Sequence, residues 1–399
     1  MRKPSERRVI LAGFFMVLVC GICAFGQEES PVLWGPILGA IGEDYIAITW
    51  KTSRAVAIRF HYARAEVYDE TGDWEETLVF EPHKGVAEIW LRDLIPGTTY
   101  RYQIVFYEGD AVHPRPIGRF TTSSPEIRSF SFLVYGNTRT YPERHALVAA
   151  AMTRNEPDAM LVFHTGDLVE YPTIERFERF FAAIAELALS RPFITIVGSR
   201  EKDQPTYYEF FPLPAGGGKA SEQWWSFTYG NVHFVGLDSN VLIEADTTLP
   251  LHEQIEWLQA DLAQATADFT VVFLHHPIYS STWEGGVNRP LQALLEPIFI
   301  TAGVDVVFTG HMRCYEHFFV NGIHHIGTGG GGAPLQEPVD RAAAWTVFRR
   351  YNTLHYMRIT VSADALQVAM IPVASVIDGE IHPVPGRRAV TSFTIMRDR

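Results

Sequence analysis

Two kinds of hydrophobic periodicity divide the chain. From residue 31 to residue 123, short segments alternate apolar and polar side chains: Tyr45-Ile-Ala-Ile-Thr-Trp50, Ala57-Ile-Arg-Phe60 and Ala87-Glu-Ile-Trp-Leu91. A period of two puts successive side chains on opposite faces, which predicts strands with one buried side. Breaks such as Asp69-Glu-Thr-Gly-Asp73 separate these segments at spacings that suit a sandwich of antiparallel sheets, and no helical stretch is expected among them. After Thr121-Thr-Ser-Ser-Pro125 the pattern turns to strands alternating with helices, so a domain boundary is placed there.

In the second part, five apolar runs lead straight into a small or polar group. They are Phe130 to Asn137, Met160 to Asp167, Phe193 to Ser199, Val271 to His275 and Val304 to His311. Between them, Glu143 to Asn155, Thr173 to Leu189, His252 to Ala263 and Pro290 to Thr301 carry apolar residues at helical spacing. Alternating strands and helices imply a largely parallel, doubly covered sheet whose carboxyl ends open into a ligand crevice. Tyr356 to Val361, Leu366 to Ile371 and Ser392 to Ile395 alternate as strands expected to form a second sheet packed on the first. Asp238 is expected to end another strand of that second sheet, Val232 to Leu237.

Composition narrows the class of partner. The 399 residues are 47% hydrophobic, enough for at least two cores. A formal charge of −13, with no run of Lys or Arg in the body of the chain, argues against docking on nucleic acid or anionic lipid and favours a small partner. The oligomeric state is left open. Residues 1–26 have the form of an export signal: Arg2, Lys3, Arg7 and Arg8, an apolar run from Val9 to Phe25, and small residues before a cut at Gln27. The rival reading is an uncleaved anchor, because the run sits at the lower limit for crossing a bilayer. A cleaved chain would leave the membrane and be secreted, periplasmic or at the cell surface. It would keep only Cys314, so no intrachain disulfide is expected.

Candidate chemistry gathers at the strand ends, where Asn137, Asp167, Ser199, His275 and His311 are expected to converge. A carboxylate with imidazoles suits zinc, iron or manganese. Singly, each reads as an ordinary strand-end polar group, and it is their common placement that points to a metal site. His164, His317, His324 and His325 are expected to serve packing, and Cys314 to be an inert buried thiol. Trp224, Trp225, Tyr279 and Trp283 either shape the crevice mouth or fill the core. The Gly327 to Gly332 run lacks the Lys-Ser/Thr ending of a phosphate loop.

Five segments, taken in order, carry a family resemblance: Gly136-Asn-Thr-Arg139, Gly166-Asp-Leu-Val-Glu-Tyr171, Gly198-Ser-Arg-Glu201, Val272-Phe-Leu-His-His-Pro277 and Gly310-His-Met-Arg-Cys-Tyr-Glu316. They resemble the blocks of calcineurin-like metallophosphoesterases. Purple acid phosphatases are the most similar branch, given the sandwich in front and Gly327-Thr-Gly-Gly-Gly-Gly-Ala-Pro334 behind. In that sandwich, Leu94 to Ile104 resembles the tyrosine corner of fibronectin type III domains, with Trp50 as the buried strand tryptophan. The resemblance implies an N-terminal all-β sandwich, fibronectin type III-like, over 31–123. It implies an α/β four-layer metallophosphoesterase sandwich over 126–399 that hydrolyses phosphoesters with two metal ions bridged by Asp167.

The blocks depart from the family pattern at residues that matter. Asn137 stands where the first block has a metal-binding Asp, and Arg313 where the last has its second His. A guanidinium offers no lone pair and repels a cation, so that metal position is read as lost. Ser199 replaces an Asn ligand, Arg200 replaces the His that contacts the reacting phosphate, and Glu170 takes the place of the iron-binding Tyr. What remains implies one divalent or trivalent ion, zinc, iron or manganese, on Asp167, His275 and His311, with Ser199 and Asn137 in the weaker positions. Two readings follow. In one, an exported enzyme of reduced activity uses that ion while Arg139, Arg200 and Arg313 clamp the phosphoryl oxygens and His276 orients a ligand. In the other, an inactive relative without an ion pairs those arginines with Asp167 and Glu201, or holds a small anion.

Overall fold

Residues 30–202, 204–243, 248–385 and 388–397 are described by a computed structural model, and the expected export signal lies outside them. Val32–Ile41, Ile46–Arg64, Glu76–Leu91, Thr99–Glu108, Ala111–Pro114 and Gly118–Thr121 are antiparallel strands. The strands expected at Tyr45 to Trp50 and Ala57 to Phe60 prove to be halves of one, Ile46–Arg64. Its first half pairs with Val32–Ile41 and its second with Thr99–Glu108, so one long strand joins both pairings in a six-stranded sheet. Register shifts between Thr52 and Ile58, against Glu76–Leu91, mark the passage from one half to the other. The expectation of a helix-free module is corrected: Ala65–Thr71 is helical, ends at left-handed Gly72, and buries no residue. A helix with no buried stripe leaves no apolar period to detect. The tyrosine corner is present, with the Tyr100 hydroxyl accepting the Ile95 N–H at 2.9 Å.

The five strands expected in one sheet are divided between two that face each other. Phe130–Tyr135, Leu161–His164 and Phe193–Thr195 pair in parallel. The C-terminal strands Thr353–Val361, Ala365–Ile377, Glu380–Pro383 and Thr391–Met396 extend this sheet to seven strands, rather than building a second one. Phe269–Leu274 and Val306–Thr309 lie in an eight-stranded sheet, beside Val232–Leu237, which ends before Asp238 as expected but pairs here and not in the sheet of the C-terminal strands. Apolar alternation says which face of a strand is buried, but not which distant strand pairs with it.

Aromatic rings fill the space between the sheets. Phe163 stacks on Phe273 with centroids 4.4 Å apart, and Phe132 meets Phe234 edge-on at 5.1 Å. Outside one sheet, Leu258, Leu262, Leu291, Leu295 and Phe299, from helices Thr248–Gln264 and Arg289–Ala302, pack on Val235, Val272 and Val307. Helices Pro142–Asn155 and Ile174–Ala188 bury Val148, Met152, Phe177 and Phe181 in the core of the other sheet, which completes the four layers. The sandwich joins this core through Trp34, stacked on Phe181 at 4.1 Å, and through the Tyr102 hydroxyl, which donates to the Leu189 carbonyl at 2.8 Å. Pro31–Arg399 accordingly form one compact unit. Trp224, Trp225 and Tyr279 are buried in it, so they fill the interior, whereas Trp283 is half-buried. No helix among the described residues is long and apolar enough to cross a membrane.

Several histidines are buried as neutral rings. Burial holds His145 and His325 at about 3 and His355 at about 4, against an ordinary value of 6.5. Below pH 6.5 the unfolded chain therefore binds more protons than the folded one, and stability is lost as pH falls through this window. Urea midpoints are expected to decline steadily on acidification from pH about 7 to about 5. A midpoint that rises over that range would contradict the burial of these rings.

Candidate functional site

Each candidate residue leaves a strand end through a tight turn. Asn137, Asp167 and His311 take left-handed φ values of 56°, 56° and 59°. Non-glycine residues held in that region concentrate at functional sites. The turns also approach closely: a Cβ on Gly198 would fall 2.1 Å from the Asp167 nitrogen, and one on Gly166, 2.8 Å from His275 Nδ1. Bare backbone at these two positions is what lets strand ends from both sheets meet at one point.

Asp167 is the centre of the cluster. Its Oδ1 accepts the Ser199 hydroxyl at 2.9 Å and the Arg200 N–H at 3.2 Å, and lies 3.3 Å from His275 Nε2. Oδ2 lies 3.2 Å from Arg139 Nε, an ion contact rather than an aligned hydrogen bond. Burial pushes the carboxyl up, but His275, Ser199 and Arg139 outweigh it and hold the group well below the usual carboxylate range. His275 donates Nδ1–H to the Thr165 carbonyl at 2.8 Å, which leaves Nε2 as the nitrogen facing Asp167. Burial would lower this imidazole, yet the Asp167 charge raises it above an ordinary histidine. The His311 ring centre lies 5.3 Å from that of His275 and 4.5 Å from that of His276. Ligand nitrogens of all three fall within 4.8 Å of one another. One carboxylate and imidazoles with bare nitrogens form a donor set that fits zinc, iron or manganese.

The other expected residues take different roles. Asn137 is closed on the His311 backbone in both directions: its amide donates to the carbonyl at 3.2 Å, and its oxygen accepts the N–H at 3.0 Å. Its carboxamide thus serves to hold the His311 turn. Arg139 reaches Glu170 at 2.6 Å while contacting Asp167, and Arg200 stands 3.6 Å from Glu170. The pairing expected with Glu201 is corrected. Glu201 is fully buried and accepts the Asp167 and Val169 N–H groups at 3.0 and 3.2 Å. Burial first, and the Asp167 charge second, push it up to about 7. Arg313 has no ion-pair partner among the described residues, and burial and Arg139 lower its proton affinity. His164 accepts or donates to the Thr138 hydroxyl, His317 pairs with His324 at 2.9 Å, and the Cys314 thiol is buried and pushed up. His276, expected to orient a ligand, lies in the same cluster, its ring nitrogens among those of His275 and His311. Consecutive strand residues normally point to opposite faces, but the strand ends at Leu274, and alternation stops with it.

Residues 135–315 match the calcineurin-like phosphoesterase family. Purple acid phosphatase 21 of Arabidopsis thaliana is 32% identical over 297 residues, covering 69% of this chain and 64% of that protein. Purple acid phosphatase 22 of the same plant is 28% identical over 262 residues, 55% of this chain and 56% of that one. Another relative, described as a probable inactive purple acid phosphatase 1, is 25% identical over 281 residues, 59% and 43% of the two chains. The chain spans about half the length of the curated relatives it matches. Among solved structures, purple acid phosphatase PPD1 of yellow lupin superposes with a TM-score of 0.72 at 19% identity, over 91% of this chain and 74% of that one. PhoD superposes at 0.70 with 16% identity, over 93% and 91%. These likenesses concern the fold, and they agree with a β-rich module in front of the layered phosphoesterase domain.

Proposed function

We propose that the chain is an exported, slow phosphoester hydrolase that works with a single metal ion held by Asp167, His275 and His311. The observation that carries this reading is the approach of His275 Nε2 to Asp167 Oδ1 at 3.3 Å, with the His311 ring beside them. When bound, such an ion supplies Lewis-acid polarisation of a phosphoryl oxygen. The chain's own residues do the rest. Ser199 and the Arg200 N–H fix Asp167, and Asn137 fixes the His311 turn. Arg313, without an ion-pair partner among the described residues, donates to the phosphoryl oxygens, and Arg200, partly exposed, assists. Neither the site's guanidinium groups, which stay charged, nor His311, which burial and neighbouring charges lower to about 4, supplies the leaving group's proton. Small aryl phosphoesters, whose leaving oxygens need no proton, are therefore the substrates expected to turn over fastest.

A second reading is favoured by one observation, the Arg139 guanidinium set between Asp167 and Glu170 where a second cation would otherwise lie. In it the crevice binds a small anion without turnover. Metal analysis of the purified protein, with assays on an aryl phosphomonoester and an aryl phosphodiester, separates the two. The hydrolase reading expects one ion per chain, and a chelator that removes ion and turnover together. Protein with neither ion nor turnover, but with saturable phosphate binding, would establish the second reading.

A further inference from the structure

Resting on the single-ion reading, we propose that His276 is the fourth ligand of this centre, making it a site of one carboxylate and three imidazoles that would take a phosphoryl oxygen as a fifth donor. The two neutral oxygens nominally available are engaged elsewhere. Both carboxamide atoms of Asn137 are closed on the His311 backbone, and Ser199 gives its hydroxyl proton to Asp167. A neutral hydroxyl is a weak ligand beside an imidazole.

His276 has the placement and the support that a ligand needs. Its ring centre lies 4.9 Å from that of His275 and 4.5 Å from that of His311. Nδ1 is held by the Ser239 hydroxyl at 2.9 Å, and the same oxygen accepts the His276 backbone N–H at 2.9 Å. Ser239 thus fixes both the ring plane and the main chain, as groups behind metal-bound histidines do, and it leaves Nε2 for coordination. A tetrahedral ion with bonds of about 2.1 Å places its donors about 3.4 Å apart. Starting from separations within 4.8 Å, the three rings reach that spacing by closing inward by little more than about 1 Å. The His311 ring carries no hydrogen bond among the described residues, so it is the member free to move. A nitrogen-rich set of this kind selects zinc or cobalt over magnesium or calcium.

The test is metal binding by the whole exported chain, measured by calorimetry with Zn²⁺ and by the visible absorption of the Co²⁺ form. His276→Ala is expected to weaken Zn²⁺ binding at least about 10- to 100-fold and to change the Co²⁺ spectrum, and Ser239→Ala to weaken binding about 10-fold. X-ray absorption on the zinc-loaded wild-type protein requires no variant and should count three imidazoles. Two imidazoles, or a His276→Ala protein with unchanged Kd and spectrum, would overturn the proposal while leaving a single-ion centre intact. Absence of any Zn²⁺ or Co²⁺ binding by the wild type would instead remove the single-ion reading, and this inference with it.

Discussion

Asp167→Asn is expected to lower phosphoester turnover by about 1000-fold or more while leaving the protein folded. The amide keeps the shape of the side chain but removes the negative charge around which Ser199, the Arg200 N–H, His275 and Arg139 are arranged. Metal-based charge stabilisation is worth several kcal/mol in such reactions, and each 1.36 kcal/mol or so of barrier is a factor of about ten. Folding should survive because Arg139 keeps Glu170 at 2.6 Å, and the backbone N–H of residue 167 keeps its bond to Glu201. Steady-state kinetics, metal content and a thermal melt on the same sample would check this. A variant that retained a third of the wild-type rate with its metal intact would show that the carboxylate is not the anchor of the site.

Phe163→Ala should cost about 3–5 kcal/mol of stability. The ring is 1% exposed and sits where the two sheets face each other, 4.4 Å from Phe273, 4.8 Å from Phe234 and 5.6 Å from Phe132. None of these neighbours belongs to a loop that can collapse into the space, so the cavity would persist. Its strand, Leu161–His164, also delivers Asp167 to the site, so metal affinity should weaken along with stability. Urea denaturation would measure the first effect and Zn²⁺ titration the second. A stability loss under about 1 kcal/mol would mean that the sheets can close over the gap.

Much of this was legible in the chain because it rests on local rules. Period-two and helical spacing gave the strands and helices to within a few residues at Pro142–Asn155 and Arg289–Ala302. The tyrosine corner could be read because its donor and acceptor, Ile95 and Tyr100, are five residues apart. Strand-end polar residues pointed to Asp167, His275 and His311 because parallel strands of one sheet deliver their ends to one rim, and the facing of the two sheets then brings Asp167 within 3.3 Å of His275.

The rest depended on contacts between segments distant in sequence. Which strands share a sheet is settled by pairing across hundreds of residues, so the C-terminal strands could be recognised but not assigned. Asn137 could be placed at the site, yet only the fold shows its amide turned to the His311 backbone, 174 residues away. Arg139 was legible as a charge in the crevice, but its choice of Glu170 over Glu201 follows from burial, which commits Glu201 to two backbone donors. His276 illustrates the division best. The sequence determined that an imidazole follows His275, and only the ending of the strand at Leu274 decided that both rings turn toward one point. Composition and spacing fix what a residue can donate, whereas the direction in which it donates is set by the packing of elements that the local pattern does not encode.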